Sequence, residues 1–268
     1  MKKLEGVFAA LRGRGERALI PYFTAGDPSL PVTRQLVLEA AGRGADIIEL
    51  GVPFSDPLAD GPVIQRATQR ALAAGVTLPR VLELAREMRG DVATPLVFLT
   101  YYNPVLAFGL KAFCRTAVEA GVEGLIVADL PPEEAAPLRA EADPADLDLI
   151  HLVAPTSTPE RLRKIARATG SFIYMVSLTG VTGARAELPP DLARHLRALR
   201  GITTKPICVG FGISTPEHAA LVGRFADGVI VGSAIVNLVE RHAGSPELLS
   251  KVGDFIAALK APLRGATA

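Results

Sequence analysis

Tryptophan is absent from this chain of 268 residues, and cysteine occurs only twice. Cys114 falls in a helix-like pattern and Cys208 in a strand-like pattern far along the chain. We therefore expect two reduced, buried thiols rather than a disulfide framework. No apolar run is long enough to span a membrane, and the first residues lack the apolar core of a signal peptide. These features predict a cytoplasmic protein.

The chain also has no large excess of positive or negative charge. Lysine and arginine together number 29, aspartate and glutamate number 28, and the formal net charge is +1. This balance argues against a surface that binds nucleic acid or another polyanion. Apolar residues make up 49% of a chain that is long enough to bury a full core. Because α/β barrels of this length form one domain, we expect a single domain, residues 1–268.

Lysine and histidine are absent from the positions where aldolases need them. The seven lysines fall on predicted helices, at the N-terminus or before a predicted strand: Lys2, Lys3, Lys111, Lys164, Lys205, Lys251 and Lys260. A Schiff-base aldolase requires a desolvated lysine in its site, and none of these fits. The four histidines have no metal-ligand spacing: His151, His195, His218 and His242. We expect neither a metal site nor a cofactor in this chain.

Short apolar runs alternate with longer amphipathic stretches along almost the whole chain. Eight runs are predicted as strands, near Ala18–Phe23, Asp46–Glu49, Leu96–Tyr101, Gly124–Ala128, Asp148–Val153, Phe172–Val176, Ile207–Gly210 and Gly228–Val231. Predicted helices include Leu4–Leu11, Val32–Arg43, Pro62–Ala73, Leu78–Arg89, Leu110–Ala120, Pro159–Ala168 and Leu192–Arg200, with start signals at Asp27–Pro28, Ser157–Glu160 and Ser214–Glu217. This alternation indicates a (β/α)8 TIM barrel with extra N-terminal and loop helices. The alternative, a doubly wound open sheet, lacks the Gly-rich dinucleotide fingerprint after its first strand.

The stretch Glu49–Gly61 follows the second predicted strand and reads Glu-Leu-Gly-Val-Pro-Phe-Ser-Asp-Pro-Leu-Ala-Asp-Gly. Its two prolines disfavour a helix, so the loop stays open until Pro62 can start a helix at its first position. Glu49 at a strand end and Asp60 on the loop are then brought together. Two carboxylates in different environments are suited to acid–base chemistry. A structural alternative stays open at this point, with Asp60 as a helix N-cap and Glu49 as a salt-bridged strand end.

Glycine-rich turns follow the last two predicted strands, at Gly210–Ser214 and Gly232–Ile235. Each leads into a helix N-terminus, where backbone N–H groups favour an anion, and these two loops of a barrel are a frequent phosphate site. The long sixth loop, Ser177–Pro190, can contribute a further glycine N–H. The candidate phosphate-binding residues are Gly183, Gly212, Gly232 and Ser233.

Several of these runs together resemble the tryptophan synthase alpha subunit family. They are Pro21–Pro28, Glu49–Gly61, Gly180–Gly183, Gly210–Ser214 and Gly232–Ile235, in order along the whole chain. The resemblance implies a lyase that cleaves indole-3-glycerol phosphate to indole and glyceraldehyde 3-phosphate by a retro-aldol reaction. It also implies a beta subunit partner that carries pyridoxal phosphate, in an alpha2-beta2 complex where indole passes through a tunnel. The alpha chain itself would need no cofactor.

By the same resemblance, Glu49 handles the proton at indole C3 and that of the side-chain hydroxyl. Asp60 would face the indole N–H and stabilise the positive charge that develops on the ring. An apolar strand end is expected to raise the pKa of Glu49, while the aspartate on the loop stays ionised.

The resemblance extends to side chains around these carboxylates. Tyr174 matches a tyrosine beside the catalytic glutamate, although barrel packing explains it equally well. Phe211 and Tyr22 match the aromatic walls of the indole site, and the family more often has phenylalanine at position 22. Thr182 matches a lid threonine that contacts the aspartate in the closed state. Asp129, at the end of the fourth strand, is either a helix cap or a site residue.

Three functions remain open from the sequence. The first is the alpha subunit just described, with Val52–Pro57 as the segment that meets the beta subunit. The second is a stand-alone lyase that releases free indole from the same site. The third is a barrel kept as a regulatory binding subunit, against which the presence of both Glu49 and Asp60 argues.

Overall fold

The computed structural model describes residues 2–154, 156–176, 190–210 and 212–265. Its strands are β1 (Ala18–Thr24), β2 (Ile48–Gly51), β3 (Leu96–Thr100), β4 (Val122–Val127), β5 (Asp148–Ile150), β6 (Leu152–Val153), β7 (Ile173–Val176), β8 (Ile207–Gly210) and β9 (Gly228–Val231). All recorded strand pairs are parallel, in the order β5-β4-β3-β2-β1-β9-β8-β7-β6. The predicted TIM barrel is confirmed.

The fifth predicted strand is in fact two segments, which corrects the expected count of eight. β5 pairs with β4 and β6 pairs with β7, and only His151 separates the two segments. The backbone N–H of His151 donates to the Thr169 hydroxyl at 3.0 Å instead of to a neighbouring strand. Because both ends of the sheet meet at this residue, one interrupted strand closes the barrel.

Twelve α-helices occur in the described ranges. They are α1 (Lys3–Gly13), α2 (Leu30–Gly42), α3 (Pro62–Ala73), α4 (Leu78–Met88), α5 (Tyr102–Phe108), α6 (Leu110–Glu119), α7 (Ala136–Ala142), α8 (Pro159–Ala168), α9 (Pro190–Arg200), α10 (Pro216–Gly223), α11 (Ser233–His242) and α12 (Leu248–Lys260). The predicted start at Asp27–Pro28 is wrong, because Ser29 caps α2 and its side chain accepts from the N–H of Val32. None of these helices is both long and apolar enough to cross a membrane.

The interior of the barrel is filled by side chains from alternate strand positions, as parallel barrels require. An apolar cluster joins inward-facing strand residues to the buried face of α1: Leu4, Phe8, Leu11, Ile20, Ile47, Val97, Ile126, Ile150, Phe172 and Ile230. Lys2 and Lys3 form ion pairs with Asp148 and Glu123 at the amino-terminal ends of β5 and β4. Helix α1 therefore closes one end of the barrel and leaves the carboxyl ends of the strands for a site.

Candidate active site

Glu49 lies in β2, paired in register with Tyr22 of the neighbouring strand β1. Only 1% of its surface is exposed. Within the described part of the chain neither carboxylate oxygen has a hydrogen-bond partner. Burial, and secondarily the charge of Asp60, raises the pKa of Glu49 to about 8. The alternative of a salt-bridged strand end is therefore wrong, and at neutral pH Glu49 is mostly a protonated acid aimed into the barrel mouth.

Asp60 lies immediately before α3, with its backbone fixed by two hydrogen bonds. Its N–H donates to the carbonyl of Pro57 at 3.1 Å, and the Gln65 side chain donates to its carbonyl at 2.9 Å. The N-cap of α3 is Gly61 rather than Asp60, so the helix-cap alternative is also wrong. Burial raises the pKa of Asp60 to about 6, against a lowering by a hydrogen bond from Tyr101. The side chain still remains mainly ionised at neutral pH.

Tyr101 is a candidate site residue that the sequence did not predict. Its hydroxyl accepts the N–H of Ala59 at 3.0 Å, and its interaction with the Asp60 carboxylate lowers the pKa of that carboxyl group. Its ring packs on Phe54, with ring centroids 5.3 Å apart. Tyr101 thus holds both ends of the exposed loop that precedes α3. Its place directly after the third strand was the signal that could have identified it, because barrel enzymes place functional residues at strand carboxyl ends.

Tyr22 and Tyr174 both lie in the barrel mouth. The Tyr22 hydroxyl is 3.2 Å from the Thr24 hydroxyl, and a Cβ atom at Gly51 would overlap the Tyr22 ring. Burial, followed by the charge of Glu49, raises the pKa of Tyr174 well above its usual range. The pKa of Tyr22 is raised in the same way, first by burial and then by the charge of Asp60. Both phenols are therefore neutral and close to the two carboxylates.

Apolar residues complete the walls of the barrel mouth. Leu99 of β3 and Leu152 of β6 are partly buried and pack against the same apolar cluster as α1, and Leu152 is paired in register with Tyr174. These leucines have no distinguishing signal in the sequence, because an apolar strand residue at a site looks like any other core residue. Phe211, the predicted second aromatic wall, lies outside the described residues.

The candidate phosphate residues are described in part. Gly212 has a positive φ of 54°, a left-handed conformation that glycine adopts without strain. Gly232 is the N-cap of α11 and Ser233 its first residue, and no side chain of the described residues caps that helix. Side chains cap α2, α8 and α10, whereas α3, α4 and α12 are, like α11, without a side-chain cap among the described residues. The first N–H groups of α11, at the end of β9, are thus able to bind an anion.

Two further predicted site residues, Thr182 and Gly183, lie outside the described residues, as does most of the loop Ser177–Pro190. The carboxylate of Asp129 accepts the N–H of Tyr102 at 2.8 Å, at the first residue of α5. Among the described residues no group of three or more His, Cys, Asp and Glu side chains is placed to hold a metal ion.

Comparisons with known proteins agree over the whole barrel. A family model described as "Tryptophan synthase alpha chain" matches residues 8–260. A protein of that name from Citrifermentans bemidjiense is 52% identical over 260 residues, which is 97% of each chain. One from Geobacter sulfurreducens is 50% identical over 260 residues, 97% of this chain and 98% of its own. The crystal structure of tryptophan synthase subunit alpha from Legionella pneumophila str. Paris matches with a TM-score of 0.90 at 38% identity, covering 98% of both chains.

Proposed function

The chain belongs to the tryptophan synthase alpha chain family, lyases that act on indole-3-glycerol phosphate, and we propose that Glu49 and Asp60 carry out this cleavage here. The reaction is a retro-aldol cleavage that yields indole and glyceraldehyde 3-phosphate. The bond between indole C3 and the glycerol side chain breaks. A proton must reach C3, and another must leave the side-chain hydroxyl. Members of this family need no cofactor of their own for these steps.

Glu49 is suited to both proton transfers. With a pKa of about 8 it carries a proton at neutral pH, which it donates to C3 of the indole ring. The resulting carboxylate then accepts the proton of the adjacent side-chain hydroxyl as the aldehyde forms. The electron pair of the broken bond returns to the ring, and Glu49 ends the cycle protonated again. General acid–base assistance of this kind contributes about 100-fold to 10,000-fold to a rate.

Asp60 has the complementary task. Protonation at C3 places positive charge on the ring nitrogen, and an ionised carboxylate near the indole N–H stabilises that charge. The pKa of Asp60, about 6, lies below that of Glu49, about 8. One carboxyl group is therefore mainly ionised and the other mainly protonated at neutral pH. This difference in pKa makes Glu49 the proton donor and Asp60 the group that stabilises positive charge.

The substrate phosphate is proposed to bind at the N-terminus of α11. The backbone N–H groups of Gly232 and Ser233 would bind it, with Gly212 approaching from the turn after β8. The support is the uncapped N-terminus of α11 among the described residues and the left-handed turn at Gly212. Gly183 and Thr182 of the sixth loop, together with Phe211, are proposed to complete the site, as the sequence resemblance implies.

A beta subunit is the partner that family membership implies, and we propose an alpha2-beta2 complex in which that subunit carries pyridoxal phosphate. The segment Val52–Pro57 and the following Leu58 are proposed to face it. Leu58 is 92% exposed although it is apolar, as expected of a side chain that a partner covers. The chain is proposed to act as one domain, residues 1–268, in the cytoplasm, with Cys114 and Cys208 kept as free thiols.

The observation that carries this proposal is the buried, unpaired carboxyl group of Glu49. The test is indole release from indole-3-glycerol phosphate by the parent and by Glu49→Gln, with glycerol 3-phosphate binding measured in parallel. We expect at least a 100-fold loss of turnover, because the amide keeps the shape but transfers no proton. Binding should stay within about threefold. A variant that retains a third of the parent rate would remove Glu49 from the central role.

A further inference from the structure

Four charged side chains form a continuous chain of ion pairs that joins α3 to the segment after β1 and to α11. Arg70 grips Asp27 with two parallel hydrogen bonds of 2.8 Å, from Nε and Nη2. Its remaining nitrogen, Nη1, donates to Glu240 at 2.6 Å. Arg66 grips the same glutamate through Nε at 3.2 Å and Nη2 at 2.9 Å. The charges alternate in sign along the network.

The network joins three segments that the proposed chemistry depends on. Asp27 follows β1, and Arg66 and Arg70 lie on α3, the helix that begins just after Asp60. Glu240 lies on α11, whose N-terminus is the proposed phosphate site. Beneath the ion pairs, the buried side chains of Ala67 on α3 and Val236 on α11 cluster with Tyr22. Helix α3 is therefore held against β1 and α11 both by an apolar contact and by ion pairs.

Neither the acid–base chemistry nor the phosphate site uses this network directly. We propose that Arg70 is a positioning residue that acts through Asp60, by fixing α3 to the barrel and to α11. The inference rests on the proposed role of Asp60. Rotation or sliding of α3 would move Asp60 at its amino-terminal end, because the Gln65 side chain of the same helix holds the Asp60 carbonyl at 2.9 Å. An error of about 1 Å in the position of a catalytic group can cost a hundredfold in rate.

The side-chain chemistry explains why position 70 needs arginine. The Asp27 side chain is only 3% exposed and that of Arg70 is 35% exposed, so both oxygens of a buried carboxylate depend on one guanidinium. The planar guanidinium group of arginine donates to both oxygens of the Asp27 carboxylate and still has a third nitrogen that donates to Glu240. A lysine keeps the charge, but its single ammonium group cannot form the two parallel hydrogen bonds that arginine makes to the Asp27 carboxylate. Arg70→Lys therefore tests geometry separately from charge.

The experiment is a double-mutant cycle on turnover. Arg70→Lys is placed in the parent and in Asp60→Asn, and indole release is followed at saturating substrate. We expect kcat to fall about tenfold in the parent, with KM within threefold, and less than twofold in the Asp60→Asn background. Arg43→Lys is the control, because Arg43 forms an exposed i,i+4 ion pair with Glu39 away from the site. It should leave kcat within twofold in both backgrounds.

The outcomes separate the inference from the proposed function. An equal loss from Arg70→Lys in both backgrounds, no loss in either, or the same loss from Arg43→Lys would overturn the positioning role alone. If Asp60→Asn by itself retained a third of the parent rate, the role of Asp60 would fail first and the inference with it. Thermal melting checks that each variant is folded at the assay temperature. If Arg70→Lys does not fold, Asp27→Asn replaces it in the same cycle, since it keeps the shape and weakens the grip on Arg70.

Discussion

The hydroxyl of Tyr101 accepts the N–H of Ala59 at 3.0 Å, and its interaction with the neighbouring Asp60 carboxylate lowers the pKa of that carboxyl group against the rise caused by burial. One phenol from the third strand end thus acts on a carboxylate that lies forty-one positions earlier in the chain (101 − 60). Since a donor to a carboxylate favours its ionised form, Tyr101 offsets part of the rise in pKa that burial causes at Asp60. Tyr101 therefore affects both the position of the loop before α3 and the ionisation of the Asp60 carboxylate.

Tyr101→Phe is therefore expected to lower kcat about tenfold and to raise the pKa of Asp60. Without the hydroxyl, burial acts unopposed on the carboxylate and the N–H of Ala59 loses its acceptor. The measurement is kcat between pH 5 and pH 7, where the acid-side fall in activity should move to higher pH. Phe54→Leu is the control, because it weakens the packing on the same ring and leaves the hydroxyl in place. A Tyr101→Phe profile identical to that of the parent would remove Tyr101 from this role.

The pH dependence of kcat/KM should be bell-shaped with its maximum near pH 7. Activity requires Asp60 ionised and Glu49 protonated. It should therefore rise through a pKa of about 6 and fall through one of about 8. The two carboxyl groups interact, so the profile reports values that belong to the pair.

The phosphate group of the substrate is a second possible source of the fall in activity at low pH. A phosphate monoester also titrates near pH 6, so the acid limb has two possible sources. Asp60→Asn distinguishes them: the acid limb should disappear if Asp60 causes it and persist if the phosphate does. Constant activity from pH 7 to pH 10 would contradict the assignment of Glu49 as the proton donor.

The sequence predicted the barrel and both carboxylates because each has a local signal. Helix α3 was placed at its observed bounds, Pro62–Ala73, since proline marks its first position. Tyr101 was missed because an aromatic residue after an apolar strand resembles core packing. The break at His151 was missed because its cause, the hydroxyl of Thr169, lies eighteen positions away. Contacts made between distant segments leave no periodic pattern in the chain.

The Asp27–Arg70 ion pair is another contact between distant segments that the sequence does not reveal. In the sequence, Asp27 and Pro28 resemble a helix start, but Ser29 is the N-cap of α2. The carboxylate of Asp27 is used forty-three positions further on, by Arg70 of α3. The raised pKa of Asp60 was likewise not foreseen, because it depends on how the folded loop removes that carboxylate from water.

Glu49→Gln should make the protein more stable at neutral pH while it abolishes activity. The folded state binds a proton at Glu49 with a pKa of about 8 against an ordinary value of 4.5. The stability that protonated Glu49 provides is full below pH 4.5 and is lost as the pH rises towards 8. At pH 7 the parent pays roughly 3 kcal/mol for keeping this group protonated, a penalty that glutamine does not have.

The measurement is urea unfolding of parent and Glu49→Gln at pH 5 and pH 8. The stability advantage of the glutamine variant should grow by roughly 3 kcal/mol between these two pH values. Asp56→Asn, an exposed change on the same loop, is the control, and as a surface substitution it should alter the free energy of unfolding by no more than about 0.5 kcal/mol. A constant difference for Glu49→Gln would mean that its pKa is ordinary in the folded protein.

Leu58→Ser should weaken the response to the beta subunit and leave the isolated chain unchanged. Leu58 is 92% exposed, so its loss removes no contact within the barrel, whereas a partner that covers it would lose about 1–3 kcal/mol of apolar burial. Indole release is measured for the isolated chain and over a titration with beta subunit. The half-saturating concentration should rise about tenfold.

Phe225→Ser is the matched control for that titration. Phe225 is also apolar and exposed, but it lies just before β9, at the amino-terminal end of the strands and away from the site. Its replacement should leave both the isolated rate and the titration unchanged. If Leu58→Ser also left the titration unchanged, the exposed loop would not be the docking segment. If the beta subunit failed to accelerate even the parent, the stand-alone lyase would be the better description, because its site would be complete without a partner.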